Sequence, residues 1–179
     1  GSQHFRGLAD GIGFSASFSP SVPIGSESKS SATMKVNLQG TDVSWQITPQ
    51  SPTAGFVVTR IGFEVDGSIT ALVSDGAGGG SFETIATSTP NGYFDLTIES
   101  DRATAMFDVF INDTKVFTGQ GFAGDIEEVA FISFMEEAGP TLDVDAFQLI
   151  DGAKESTPTF ITASPLSGNL PAGSTAAIT

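Results

Sequence analysis

The amino-acid sequence predicts an all-β fold, a two-sheet antiparallel sandwich built from short strands. Three observations carry that prediction. Apolar and polar residues alternate with a period of two in one segment after another, while helical periodicity is almost absent. About eleven or twelve such segments fit into roughly 150 residues, the spacing of a sandwich. The chain also holds 21 Gly and 9 Pro, with Ser and Thr in every segment, which suits many turns.

In chain order, Ile12, Phe14, Ala16 and Phe18 share one face of a first strand. Ala32, Met34, Val36 and Leu38 do the same over 32–39. Val43, Trp45 and Ile47 follow the turn at Gly40, and Pro49–Gly55 reads as a turn-rich connection. Phe56–Ile61 and Phe63–Val65 read as strand interrupted by Gly62, the signature of a bulge. Asp66-Gly67 turns into a strand over 68–74, and the Gly-rich loop 75–80 leads to another over 81–87. After Pro90-Asn91-Gly92, Phe94, Leu96 and Ile98 face inward. Strands over 104–111 and 115–117 flank the hairpin turn Asn112-Asp113-Thr114. Val129–Met135 is apolar on both faces and predicts a strand covered on both sides; Leu142–Ile150 is the last strand. The alternation stops after Asp151-Gly152. The expected division is therefore a sandwich over 1–152 and a linker with an apolar tail over 153–179.

The 21 acidic residues outnumber the 7 basic ones, for a net charge of -14. Nucleic acid is excluded as a partner, because its affinity rests on Lys and Arg neutralising phosphates. Anionic membrane surfaces are excluded on the same ground, and no apolar run approaches the roughly 20 residues of a membrane span. Zero Cys and one His (His4) exclude disulfides, thiolate metal sites and Ser–His–Asp machinery. Low Lys with abundant Ser, Thr and Gly matches the style of exported bacterial modules, so an extracellular, secreted or cell-surface location is expected. Gly1-Ser2 reads as a cleavage remnant, with the native start upstream.

From Phe56 to Ile150 the chain resembles the concanavalin A-like lectin/glucanase superfamily in its laminin-G-like bacterial form. The residues that carry the resemblance are Tyr93-Phe94-Asp95-Leu96-Thr97-Ile98, the turn Asp101-Arg102, the hairpin Met106–Val116 with Asn112, Ile126–Phe134, and Leu142–Leu149. An aromatic pair at 93–94 stands where such sequences carry Trp, and Asn112-Asp113 where they carry Asn-Gly. The resemblance implies a jelly roll of two curved antiparallel sheets. That fold hosts lectins, adhesion modules, spacers and enzymes alike. The tail, Ser164-Pro165-Leu166-Ser167-Gly168-Asn169-Leu170-Pro171-Ala172-Gly173-Ser174, resembles the opening of bacterial immunoglobulin-like repeats. It implies neighbouring domains in a longer chain.

Several residues are candidates for chemistry. Asp145 shares its parity with Phe147 and Leu149, which places a carboxylate toward the core. A carboxylate there needs backbone N–H donors, a basic partner or a cation. Calcium is the cofactor that suits it, with Asp143 on the same face and Asp10 and Asp125 as further oxygen donors. The other reading is a lone carboxylate bonded to loop N–H groups. Trp45 and Tyr93 are the candidates for stacking on a sugar ring. Trp45 is in phase with Val43 and Ile47, which favours core packing over a sugar site; Tyr93 lies on the polar parity of its strand and is the better surface candidate. Glu64 and Asp66 match half of a glucanase ExDxxE motif, but no third carboxylate follows on the strand, and a solvated turn explains them. Glu127-Glu128 and Glu136-Glu137 flank an apolar strand as solvated gatekeepers. The function expected is a non-catalytic glycan-binding or adhesion module; the alternatives are a structural spacer or protein–protein module, and then a polysaccharide-active enzyme.

Overall fold

The computed structural model describes residues 5–8, 15–18, 27–39, 45–133 and 141–153, the first two stretches by backbone alone. Among them it forms β1 (Phe5–Leu8), β2 (Ser15–Phe18), β3 (Lys29–Gln39), β4 (Trp45–Ser51), β5 (Phe56–Val57), β6 (Ile61–Phe63) and β7 (Ile69–Ser74). Then come β8 (Gly80–Ala86), β9 (Phe94–Asp101), β10 (Met106–Ile111), β11 (Thr114–Gln120), β12 (Glu128–Ser133) and β13 (Thr141–Asp151). No described residue is helical.

These strands make two antiparallel sheets. One has six strands in the order β1-β13-β3-β9-β10-β11; the other has seven, β2-β12-β4-β6-β7-β8 with β5 also paired to β4. The expected all-β jelly-roll sandwich is thus what the chain forms. Its core is the set of inward residues the alternation predicts: Ala32, Met34 and Val36 of β3, Phe94, Leu96 and Ile98 of β9, and Phe107 and Val109 of β10. They meet Trp45 and Ile47 of β4, Ile61 and Phe63 of β6, and Val129 and Phe131 of β12. Aromatic contacts cross the gap between the sheets. Phe63 packs on Phe94 with ring centroids 6.1 Å apart, and Phe131 on Phe147 at 6.3 Å. The doubly apolar segment expected near 129–135 is β12, an interior strand between β2 and β4.

Four local expectations change. Pro49 lies within β4, not in a turn. Its carbonyl accepts the Val58 N–H at 2.8 Å, so β4 continues through Ser51. Gly62 pairs regularly with Gln46 and Thr70, with no bulge. A Cβ there would lie 2.5 Å from Thr70 Oγ1 and 2.7 Å from Glu64 Oε1, so Gly62 makes room for those two groups. The bulge that does occur is in β13, where the register slips between Asp145 and Gln148 and Ala146 takes a φ of 50°. Finally, β1 had no counterpart in the alternation. The hairpin at Asn112-Asp113 has positive φ at both residues, the two-residue turn that Asn and Asp favour. The tail over 154–179 lies outside the described residues.

An arginine ties one end of the sandwich together. Arg102, in the β9–β10 turn, donates from Nη1 to Asp151 Oδ1 at 2.7 Å and to the Glu27 carbonyl at 2.6 Å. Its Nε lies 3.0 Å from Asp125 Oδ1. One side chain therefore links the start of β3, the end of β13 and the loop before β12.

Ile98 is fully buried between the sheets. Ile98→Ala is expected to cost about 2–5 kcal/mol, read as a lower urea midpoint with an unchanged slope; a loss below about 1 kcal/mol would mean that the core does not close over β9 as described.

Candidate functional site

The two outward faces of the sandwich differ in how their polar groups are satisfied. On the six-stranded sheet the outward residues form closed pairs. Lys29 bonds Glu99, Lys35 Nζ reaches Asp95 Oδ1 at 2.9 Å, and Lys115 Nζ reaches Asp108 Oδ2 at 2.7 Å. Thr118 also donates to Asp108, and Lys115 lies 5.7 Å from the centre of the Phe110 ring. Burial of Asp108 opposes its ionisation, but the hydrogen bonds from Lys115 and Thr118 outweigh it and hold its carboxyl below the ordinary aspartate value. The bond to Asp95 likewise raises the Lys35 pKa. A shallow depression of about 580 Å³ lies on this face, lined by Thr33, Lys35, Asp95, Thr97, Asp113 and Gln148 among others. Its charged walls are already paired.

The outward face of the seven-stranded sheet instead carries polar atoms without partners, several of them buried. Ile47 pairs with Ile61 and Ile61 with Ala71, all three inward. One step along, Thr48, Arg60 and Leu72 therefore form a row on the outer face, continued by Phe82, which pairs with Leu72. Ala130 extends it on the other side of Thr48. The next row runs through Ile132, Gln46, Gly62, Thr70 and Thr84. Thr48 is only 2% exposed, and its Oγ1 has no hydrogen-bond partner. The same is true of Gln46 Oε1 and Arg60 Nε, each buried and unpartnered. Buried polar atoms are normally hydrogen-bonded, and leaving one unpaired costs roughly 1–3 kcal/mol. Three such atoms lie in two adjacent rows of this face; among the described residues Trp45 Nε1 and Ser100 Oγ share that property elsewhere. At the edge of this face Phe82 is 46% exposed, two strands from Arg60, or about 10 Å at ordinary strand spacing.

Glu64 lies on this face as well. Its carboxylate turns back over Gly62 and accepts the Thr70 hydroxyl at 2.8 Å. Asp66 instead closes the β6–β7 turn, accepting the Ser68 N–H at 2.8 Å, and that bond, with the Ser68 side chain, lowers its pKa. The two carboxylates that the sequence placed on one strand face are thus separated, one on the sheet and one in the turn. On the far side, Glu128 is bonded by Gln50.

The sugar-stacking candidates fall apart in space. Trp45 is 0% exposed in the core, so neither face of its ring is open to a ligand. The reason is its parity with Ile47, which points between the sheets. Tyr93 is 48% exposed and immediately precedes β9 of the six-stranded sheet, whereas Gln46, Thr48 and Arg60 belong to the seven-stranded one. The alternation alone had not singled out Gln46, Thr48, Arg60 or Phe82.

Of the carboxylates considered for calcium, Asp143 and Asp145 share the outward face of β13, as expected, while Asp125 stands apart. Asp145 pairs with Lys35 on the outward face; the β13 bulge reverses the parity after it, which is how Phe147 and Leu149 point inward while Asp145 does not. Asp143 is buried, opposite Asn37 on one side and at the register position of Arg6 on the other. Asp125 belongs to the Arg102 clamp near Ser30, seven residues along β3 from Asn37 and hence about 23 Å away. Asp10 lies outside the described residues. Among the described residues no group of three or more His, Asp or Glu side chains is placed to hold a metal ion.

No protein-family model matches the chain, and no curated protein matches it by sequence. Solved structures do match in fold. One is a sialidase, at 10% identity and a TM-score of 0.63, where the match covers 83% of this chain but 15% of that one. Another is the galectin LEC-6 of Caenorhabditis elegans, at 12% identity and 0.52, covering 80% of this chain and 95% of the galectin. A third is the carbohydrate binding module CBM66 from Bacillus subtilis, at 12% and 0.50, covering 80% and 84%. The chain thus has the concanavalin A-like jelly-roll fold found in carbohydrate-binding proteins, and enzymes share it too. The fold by itself does not separate binding from catalysis.

Two outcomes follow from the geometry. Asp108→Asn should lower stability by about 0.2–1 kcal/mol at neutral pH, since the pair with Lys115 is partly exposed. A lowered folded-state pKa contributes stability above the ordinary value of 3.8 and loses it as the pH falls through the folded value. The difference in urea midpoint should therefore be full at pH 7 and vanish as Asp108 protonates in acid. Secondly, Asp145 lies opposite Lys35, and among the described residues no group of three or more acidic side chains is gathered for a metal ion. Calcium or a chelator is expected to leave the melting temperature unchanged, and a rise of several degrees with calcium would show a cation site.

Proposed function

We propose that the chain is a non-catalytic carbohydrate-binding module that takes its glycan on the outward face of the seven-stranded sheet. The observation that carries this reading is the row Thr48–Arg60–Leu72–Phe82, with Gln46 beside it. The exposed ring of Phe82 stands at the edge of this row, beside the partly exposed Leu72 and Arg60. A pyranose presents both matching features, hydroxyls at its edge and an apolar C–H face that packs on an aromatic ring. The galectin and carbohydrate binding module of like fold support the class of ligand. Glu64 and Asp66 serve Thr70 and the turn, which supports binding over hydrolysis. The module belongs, on this reading, to a larger secreted or cell-surface bacterial protein with neighbouring domains. Its cysteine-free, Ser/Thr/Gly-rich composition fits that setting, and the match to a small part of a sialidase shows the same fold within a much longer chain.

The test is calorimetric titration against a glycan panel. Phe82→Ala should weaken any binding about tenfold, the equivalent of roughly 1.4 kcal/mol, without lowering the melting temperature. Tyr93→Ala should leave it unchanged. The reverse pattern would move the site to the six-stranded sheet, and a panel with no hits would favour a spacer or protein-binding module. Release of reducing ends from a bound polysaccharide would make the chain an enzyme.

A further inference from the structure

Among the described residues β8 is the last strand of the seven-stranded sheet, and no strand pairs with its far side. Which backbone groups face that edge follows from β7. The Leu72 N–H donates to the Arg60 carbonyl at 2.9 Å, and the Leu72 carbonyl accepts the Thr59 hydroxyl at 2.7 Å. Leu72 thus directs its backbone groups away from β8, and Ala71 and Val73 direct theirs toward Glu83 and Ser81. By the same alternation Gly80, Phe82 and Thr84 present their N–H and C=O groups to the free edge. Every residue from Gly80 to Thr84 is exposed.

A depression of about 380 Å³ lies against this edge, lined by Val73, Ser74, Asp75, Gly80, Ser81 and Glu83. Ser81 and Glu83 have the inward parity, since they pair with Val73 and with Ala71 of the core. That side is uncovered near the hairpin: both residues are exposed, whereas Ile85 farther along packs on the core. The charges on the wall are both negative. Asp75 Oδ1 accepts the Ala77 and Gly79 N–H groups at 2.7 and 2.9 Å, which holds that carboxylate in place. Among the described residues no base meets Glu83, since Lys29, Lys35, Arg102 and Lys115 are paired with other acids.

We propose that β8 is a docking edge for an extended peptide segment that carries a lysine or an arginine. The segment adds to the sheet as a further strand, its N–H and C=O groups pairing with those of Gly80, Phe82 and Thr84. Side chains alternate along it, so one set faces the depression. A basic member of that set lays its aliphatic stem on Val73 and brings its charge to Asp75 and Glu83. Charge decides the occupant. A second copy of this chain is the poorer match, because Gly80–Ala86 contains one acid and no base, and two chains of net charge -14 repel each other. The same charge attracts a basic segment. An inward-pointing charge on an edge strand also blocks indiscriminate pairing, and a basic strand is the kind that Glu83 admits. The proposal is independent of the glycan reading, since Phe82 and Glu83 point to opposite faces of β8.

The probes are blocked heptapeptides of alternating Thr and Val with Lys, Glu or Thr at the centre. Each is titrated into the isotope-labelled chain and followed by amide chemical shifts. The Lys peptide should move the signals of Gly80, Phe82 and Thr84 and bind about tenfold more tightly than the Glu peptide, with the Thr peptide between them. Glu83→Gln should remove most of that preference. Asp108→Asn, which takes a charge from the opposite sheet, should keep it. Glu83 is exposed and meets no base, so Glu83→Gln should melt with the wild type; if it does not, the peptide series alone carries the comparison. The Lys peptide with its backbone N–H groups methylated keeps the charge but loses the pairing, and should not bind. Equal affinity for the Lys and Glu peptides, binding of the methylated peptide, shifts confined to residues outside β8, or no shift at millimolar peptide would each overturn the proposal. A sedimenting mass that doubles with concentration, with β8 signals moving in the absence of peptide, would make a second copy the occupant and overturn it as well.

Discussion

The packing of one sheet on the other is the constraint from which the remaining features follow. Phe63 of β6 meets Phe94 of β9 across the gap, and Phe131 of β12 meets Phe147 of β13. Around them Trp45, Ile47, Leu96, Ile98 and Phe107 are withdrawn from water. Burial of this apolar surface is the main favourable contribution to such a fold. Because side chains alternate along a strand, fixing the inward set also fixes the outward one; a one-residue slip would exchange them. The row Thr48–Arg60–Leu72–Phe82 exists because Ile47, Ile61 and Ala71 are held inside.

The two outward faces then take different courses under the same excess of acid. On the six-stranded sheet each described lysine lies across from an acidic side chain and the charges close on one another, which aids solubility and offers a ligand little. On the seven-stranded sheet Thr48 and Gly62 are buried although their parity faces outward. Gly62 lets the Glu64 carboxylate fold down onto Thr70. That contact keeps a negative charge occupied within four residues of Arg60 and leaves the guanidinium unpaired. The cost of the orphaned atoms is borne by the core beneath them.

Much of the fold was legible in the sequence because alternation is local. Ala32 to Leu38 and Phe94 to Ile98 show their inward faces within a few residues. Features that depend on register were not legible. Thr48, Arg60, Leu72 and Phe82 lie ten to twelve residues apart along the chain, and only strand pairing brings them into a row. Asp145 was misplaced for a related reason, since a single extra residue at Ala146 reverses the parity of the strand beyond it. Gly62 looked like a bulge because its actual purpose, space for Glu64 and Thr70, involves a residue on another strand. One signal was available. With so few basic residues, each calls for a partner, and Arg60 precedes the inward Ile61 and so falls on the outward parity.

The distribution of carboxylates on the outward face of the seven-stranded sheet bears on whether it binds or cleaves. A glycosidase of the usual kind needs two carboxyl groups facing each other across the scissile bond, about 5 Å apart in retaining enzymes. Here Glu64 is bonded by Thr70, and Glu128, on β12, is bonded by Gln50. The rows of Gln46 and Thr48 lie between them. Each acid orients a neighbouring amide or hydroxyl, and the uncommitted groups between them are an amide oxygen, a hydroxyl and a guanidinium. None of those three groups is suited to move a proton at neutral pH. The fold by itself separates neither binding from catalysis nor one ligand from another, whereas among the described residues the two carboxylates of this face are each engaged by a neighbour.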